Sequence, residues 1–384
     1  MQRMGARRVG GRMERQRADL ALSGGGVKCI ALLGALAELE RRWTWERLAG
    51  TSGGAIVAAF VAAGLSASEV LAVLKRVHLG ELTDLRWEGR LERWTSRLAR
   101  ALLAPLQALP PLRRAASGLS LVAHNPLGFF LEFGIYSGRR LVELLEEHLP
   151  PGVRTFGDLL YDPTAPRTGP GARRRYRLQV VAADITAHSL LVLPQDVARF
   201  GYDPDQMSIA LALRMSASVP VLFSPVRLVD QRTGQTHLIV DGSVLSNYPL
   251  WLLDAPAGEE PAWPALGLAV CPHGPDDCPT CPEDVHEVQD VGQFLEALWH
   301  SMASALDRAY LSQGHWARTV AIECVDVPAT RFDLSEGDRA RLWQAGVEAA
   351  RSFMERWGDP AEGFERWKAR HGPRGQAAGA PTPL

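Results

Sequence analysis

Two glycine turns of the same design, each leading into an apolar helix candidate, constrain this chain more than any other feature. The first is "ADLALSGGGVKCIALLGAL", from Ala18, and the second is "LAGTSGGAIVAAFVAAG", Leu48 to Gly64. In each, a short strand candidate meets glycines and then a helix, the first apolar almost all round up to Ala37 before it turns charged at Glu38–Arg42 and the second without a polar residue, so both must be covered. The first helix is expected from about Val27 to Trp43 and the second from Ala55 to Ala63, after a poorly marked strand near Leu48. Further strands are expected at Leu178–Asp184, His237–Gly242, Leu266–Val270 and Thr319–Cys324. Helices are expected at Gly138–Leu149, Ile209–Met215, Val291–Leu311 and Ser335–Trp357. Strands alternating with helices specify an α/β domain around a largely parallel sheet covered on both faces.

The rest of the chain reads as attachments to that domain. Arg3, Arg7, Arg8, Arg12, Arg15 and Arg17 face only Glu14, with no apolar run behind them, which makes residues 1–17 a basic disordered tail rather than a secretory signal. Between Glu81 and Gly134 the composition changes. Arg86, Trp87, Arg90, Arg93, Trp94, Arg97 and Arg100 recur at helical spacing ahead of a Pro-broken apolar segment, the mark of an insertion, here a helical cap on the domain of residues 18–357. From Gly358 to Leu384 the Gly, Pro and Ala content predicts a flexible tail.

Charge excludes more than it proposes. Lys and Arg number 42 against 43 acids, so the chain as a whole offers no attraction to nucleic acid. Only the stretch 86–100 is locally basic, and it has two readings: a surface helix with its tryptophans packed inward, or a peripheral docking face for anionic lipid. Five cysteines, an odd number, give no disulfide framework and suit a reducing cytoplasm. No uncharged stretch is long enough to span a bilayer.

Ser52 lies between Gly50 and Gly54 in G-x-S-x-G spacing, the pattern of a nucleophile elbow, where only glycine neighbours let backbone approach closely enough to expose a serine oxygen. A nucleophile needs a base and donors for the developing oxyanion. Gly24, Gly25 and Gly26, at a helix N-terminus, supply outward N–H groups, joined by the N–H of Gly53. His300 and His315 are late enough in the chain to be triad histidines but fall in an expected amphipathic helix rather than in a loop after a strand. Asp241 instead ends a strand and opens "DGS", the position from which a sheet delivers side chains to its active edge.

The segments "SGGGVKCIALLGAL", "GTSGG", "ASVPVLFSPV" and "VDGSVLSNYPL" occur in the order and approximate spacing of the patatin-like phospholipases, and the chain resembles that family from about Asp19 to Trp357. The resemblance implies a patatin-like three-layer α/β/α fold. It also implies a Ser52/Asp241 dyad without histidine, an oxyanion hole at the loop from Gly24, lipid or phospholipid as substrate, and neither metal nor cofactor. Two departures stand out: Cys29 where the family's loop ends in glycine, and Ser243 where "DG" is usually followed by Gly or Ala.

Other features admit a plain reading beside the functional one. Lys28, in the first helical turn, is either solvated or a contact for a substrate phosphate or carboxylate. "ASVPVLFSPV" (Ala217–Val226) suits an acyl-pocket wall or simple core packing. Cys278 and Cys281, with Cys271, His273 and His286 nearby, can be written as a zinc site or as free thiols in a Pro-rich loop. The functions in contention are therefore a phospholipid acyl hydrolase, a broader carboxylesterase or lysophospholipase, and a lipid-binding regulator weakened by the departures at positions 29 and 243. Nucleotide binding at the glycine loop is a poor third reading, because "GGGVKC" lacks Walker spacing and no G-K-[ST] follows.

Overall fold

A computed structural model describes residues 15–77, 132–256, 258–271, 313–324 and 327–372, with Arg8–Val9, Arg12–Met13 and residues 297, 301, 307 and 311 beside them. The Arg/Trp stretch 86–100, nearly all of the expected insertion, His300, and Cys278, Cys281, His273 and His286 lie outside the described residues.

The central sheet among the described residues has eight strands. β1 (Gln16–Leu22), β2 (Trp43–Thr51), β4 (Leu178–Asp184), β9 (Ala265–Cys271) and β10 (Thr319–Glu323) run parallel in the order β10-β9-β1-β2-β4. β5 (Ser189–Leu193), β7 (Val226–Val229) and β8 (Thr236–Asp241) add antiparallel strands at the β4 end. A separate ribbon pairs β3 (Gly134–Tyr136) with β6 (Val221–Phe223) in parallel.

Alternation along the strands sorts side chains between two cores, because successive residues of a strand face opposite ways. Leu20, Leu22, Leu48, Leu266 and Leu268 turn to a helical layer. Ala21, Ala49, Ala265 and Ala269 turn to the other face, where Tyr248, Leu250, Leu252 and Leu253 cover them. The helical layer holds α1 (Cys29–Leu39), α2 (Ser52–Ala62), α3 (Ala67–Arg76), α5 (Ile209–Ser216) and the long α7 (Glu336–Trp357), and beside it lies α4 (Arg139–His148). α1 is buried on nearly every side because α7 closes over it: Gly346 sits against the Ala31 carbonyl and the Ala35 N–H, too close for any side chain. Each fully buried leucine in this layer contributes roughly 1.5–3 kcal/mol.

Several expected boundaries move. The first helix stops at Leu39, and Trp43 instead begins β2, a nine-residue strand whose Trp43 and Trp45 alternate inward with Thr44 outward. The basic tail ends earlier than expected, since Gln16 and Arg17 already pair with Trp43 and Thr44, and Arg8–Val9 pairs with Arg12–Met13. The chain also does not fray at Gly358. Asp359 caps α8 (Pro360–His371) by accepting from the N–H groups of Ala361 and Glu362, and Phe364 is buried beneath it. Composition missed this helix because its order comes from a cap and from packing, with the Trp367 indole donating to the Gly314 carbonyl at 2.7 Å. The helix expected from Val291 to Leu311 is described only at single positions, residues 297, 301 and 307 being helical. His315 falls in the short α6 (Gln313–Trp316), where its Nε2 meets Asp254 Oδ2 at 2.7 Å. Among the described residues, no single helix is long and apolar enough to cross a membrane.

Candidate active site

Strand register builds the site. Leu22 of β1 lies opposite Gly50 of β2, so two residues further on Gly24 comes beside Ser52. A side chain added at Gly24 would stand 3.3 Å from the Ser52 Cβ and 2.7 Å from the Ser243 Oγ, which is why the loop carries glycine there. One edge of β4 then does the rest. Its residues Leu178–Val181 pair with β2 up to Thr51, and Ala182–Asp184 pair with β8, Asp241 lying opposite Ala182. β5 occupies the other edge, since Val180–Asp184 pair with it as well. The ends of β2 and β8 therefore abut along a single strand, with Thr51 and Asp241 at adjacent register positions. Ser52 and Asp241, 189 positions apart in the chain, are neighbours for that reason.

Ser52 opens α2 with φ of 52°, a left-handed conformation that a serine adopts at some cost. It is the strained turn that G-x-S-x-G spacing predicts. Its surroundings hold the strain in place: the Ser52 N–H donates to Ser216 Oγ at 2.8 Å, and that hydroxyl donates to the Val181 carbonyl at 2.6 Å. Ser216 ends α5, so a second helix fixes the elbow's backbone.

Asp241 has no solvent exposure. Its N–H donates to the Ser218 carbonyl at 2.9 Å, and its Oδ1 accepts the Ser243 N–H at 2.8 Å. Its Oδ2 is buried and has no hydrogen-bond partner. Burial pushes the carboxyl up from 3.8 to about 6, and the Ser52 hydroxyl and the Ser243 backbone and side chain pull it part of the way back. Ser52 thus stands close enough to favour the charged carboxylate without meeting the geometry of a hydrogen bond to Oδ2. An open acceptor oxygen in this setting takes a proton more readily than an ordinary carboxylate does.

The oxyanion donors expected at the glycine loop separate. The Gly24 N–H already donates to the Asn247 carbonyl at 2.9 Å, so Gly24 shapes the loop instead of binding an oxyanion. This corrects the reading from sequence, in which all three glycines were donors. Gly25 caps and Gly26 opens a 3-10 turn, Gly26–Lys28, whose first N–H groups have no partner within the turn. Gly53, second residue of α2, faces Gly26 so closely that an added side chain would lie 2.6 Å from the Gly26 carbonyl. The N–H groups of Gly25, Gly26 and Gly53 are the remaining candidate donors.

Sequence reasoning passed over Ser216, Ser218 and Asn247, although the quoted segments contain Ser218 and Asn247. Nothing local marks them, because each acts across the sheet. Of the two departures, Ser243 donates through its Oγ to Asn247 Oδ1 at 2.9 Å, and its side chain also favours the charged form of Asp241. Cys29 is buried at the start of α1, and burial pushes its thiol up to about 12. Lys28 is not simply solvated: its Nζ donates to the Cys324 carbonyl at 2.7 Å. Cys271, from the zinc reading, is buried and donates weakly to the Ala269 carbonyl at 3.8 Å. Among the described residues, no group of three His, Cys, Asp or Glu side chains is placed to hold a metal ion.

The site sits on a mostly parallel α/β sheet, with a strained serine at one strand end and a buried carboxylate at the neighbouring one. The sequence profile of the family described as Patatin-like phospholipase matches residues 20–254, and the chain belongs to that family of lipid acyl hydrolases. The chain is 30% identical over 341 residues to the uncharacterized protein YqhO of Bacillus subtilis, a match covering 88% of this chain and 98% of that one. Among solved structures, VipD of Legionella pneumophila aligns at 18% identity and a TM-score of 0.44, over 90% of this chain and 67% of its own. The type III effector ExoU aligns at 17% identity and a TM-score of 0.36, over 88% of this chain and 53% of its own.

Proposed function

We propose that this protein hydrolyses fatty-acyl esters, phospholipids in particular, through an acyl-serine intermediate formed by Ser52 with Asp241 as its base. The observation that carries the reading is the abutment of β2 and β8 on one edge of β4, which sets the strained serine beside a buried carboxylate whose Oδ2 has no other partner.

In this reading the reaction runs in two halves. Ser52 Oγ bonds to the acyl carbonyl carbon as its proton passes to Asp241 Oδ2. The negative charge that moves onto the carbonyl oxygen faces the N–H groups of Gly25, Gly26 and Gly53 at two helical N-termini, where the helix dipoles favour it. The bond from the acyl carbon to the leaving oxygen then breaks, and that oxygen takes the proton from Asp241. Water, giving a proton to Asp241, attacks the acyl-serine. The acid departs as Ser52 recovers its proton. The Ser243 N–H on Oδ1 holds the carboxylate through both halves, so that Oδ2 alone exchanges the proton.

The test is covalent labelling with a fluorophosphonate, followed by a lipid-class profile of the products. Wild-type protein is expected to be labelled at Ser52 and to release fatty acid from phospholipid vesicles, and Ser52→Ala to do neither. Labelling that persists in Ser52→Ala would remove the serine from its role. Release from short soluble esters but not from phospholipid would narrow the protein to a carboxylesterase. The same reading includes docking on anionic lipid through residues 86–100. Vesicle co-sedimentation should rise with anionic lipid and fall when Arg86, Arg90, Arg93 and Arg97 are changed to glutamate, and unchanged binding refutes the docking.

A further inference from the structure

The segment Ser246–Tyr248, just past the catalytic turn, is the knot that ties the parts of the site together. Its Asn247 carbonyl holds the Gly24 N–H at 2.9 Å, which sets the start of the glycine loop. Its Ser246 carbonyl accepts the Thr51 hydroxyl at 3.1 Å, one residue before the nucleophile. Its Asn247 Oδ1 accepts the Ser243 hydroxyl at 2.9 Å, on the turn that carries Asp241. Three elements of the site thus take their positions from two residues, Ser246 and Asn247.

That segment is gripped from outside by one carboxylate. Asp307 Oδ1 accepts the Ser246 hydroxyl at 2.9 Å, and Oδ2 accepts both the Asn247 N–H at 3.0 Å and the Tyr248 N–H at 2.9 Å. The Trp251 indole adds a bond to the same Ser246 Oγ at 3.3 Å. Asp307 is partly buried, and that burial pushes its carboxyl up to about 7 against the pull of these donors. Keeping a carboxylate there is unfavourable unless its hydrogen bonds matter. The mechanism above gives it no proton to carry. It also lies beyond residues 20–254, where the family profile matches.

We propose that Asp307 is a positioning residue for the oxyanion loop: by fixing Ser246–Tyr248 it sets where the glycine loop stands over Ser52. The inference rests on the hydrolase reading for its effect on turnover, though not for its effect on the loop. Because oxyanion donors act on the transition state and not on bound substrate, loss of the clamp lowers kcat and leaves KM almost untouched.

The experiment compares Asp307→Ala and Asp307→Asn by steady-state turnover of a soluble acyl ester and by amide hydrogen exchange in the peptide covering residues 22–29. Asparagine keeps an oxygen for the two backbone N–H groups, and its amide can donate to Ser246 Oγ, whereas alanine keeps neither. Asp307→Ala is expected to lower kcat about 100-fold, the scale of a small misplacement at a reacting centre. KM should stay within about twofold, as for an interaction made only in the transition state. Exchange in 22–29 should quicken. Asp307→Asn should return kcat to within about tenfold of wild type and restore protection, since most of the geometry is kept. A kcat within about twofold of wild type in Asp307→Ala, or unaltered exchange in 22–29, overturns the proposal. If Asp307→Ala does not fold, Ser246→Ala carries the same test with an expected loss of about tenfold in kcat, and wild-type kcat in that variant overturns it. Faster exchange in 22–29 without ester turnover by wild-type protein would support the clamp and sink the hydrolase reading.

Discussion

The two halves of the sheet contribute to the site by opposite means. The parallel half, β1 and β2 with α1 and α2, delivers Ser52, the proposed nucleophile, through local backbone: a serine at φ of 52° between glycines that let two loops touch. The antiparallel half, β8 with β5 and β7, delivers Asp241, the proposed base, and sets its character through burial. Asp241 has no exposure, and its carboxyl is pushed up to about 6 for want of water. One half stores its unfavourable energy in a dihedral angle and the other in a desolvated charge. Changes in the first should disturb placement, and changes in the second should disturb protonation.

The largest expected effect comes from the nucleophile itself. Ser52→Ala should lower acyl-ester turnover by about 10⁴-fold or more, with a far-UV spectrum like that of wild type, as steady-state kinetics and circular dichroism will show. Asp241→Asn removes the base from the other half and should cost about 10²- to 10⁴-fold. Gly24→Ala should lower turnover by about 100-fold, because the added carbon meets Asn247 Oδ1 and the Ser243 hydroxyl beside the nucleophile. If Gly24→Ala proves as active as wild type, placement in the parallel half is less demanding than the close contacts imply.

A smaller effect separates the halves by pH. An acid whose carboxyl sits at about 6 in the folded protein and 3.8 in the ordinary reference binds more proton folded than unfolded between those values. Its stabilising contribution is therefore complete below about pH 4 and is lost as pH rises through about 6, a change on the order of 3 kcal/mol at most. Asp241→Asn lacks that loss. Denaturant unfolding should show the variant gaining on wild type from pH 4.5 to pH 8, and parallel pH profiles for the two would contradict the buried charge. The smallest expected effect is at Ser243→Ala, which loses the hydrogen bond to Asn247 and the hydroxyl's pull on Asp241 while keeping the backbone N–H on Asp241 Oδ1. Turnover should fall by less than about tenfold.

The same contrast governs what could be read from the sequence. Ser52, the glycine turns and the wholly apolar helices were legible because each is declared by residues within a few positions of it. β2 was only faintly legible, because Glu46 and Arg47 interrupt its apolar pattern, and the pairing that makes Arg47 acceptable there, with Asp19 of β1, is invisible in one dimension. Gly24 was misread as a donor for a like reason: its N–H is taken by Asn247, 223 positions away. Asp241 came from its place at the end of a strand and from the family resemblance, whereas Ser216, Asn247 and Asp307 gave no local sign. The C-terminal helix was hidden by a Gly- and Pro-rich composition that said nothing of the Asp359 cap.

The central claim is that Asp241 takes the proton of Ser52, and the rate of Ser52 phosphonylation as a function of pH tests it most directly. For wild type, the rate should climb with pH through about 6 and then level, as the Asp241 carboxylate forms. For Asp241→Asn, it should be at least about 100-fold slower and show no such rise. A variant labelled at the wild-type rate along the same pH curve would mean that some other group serves as the base.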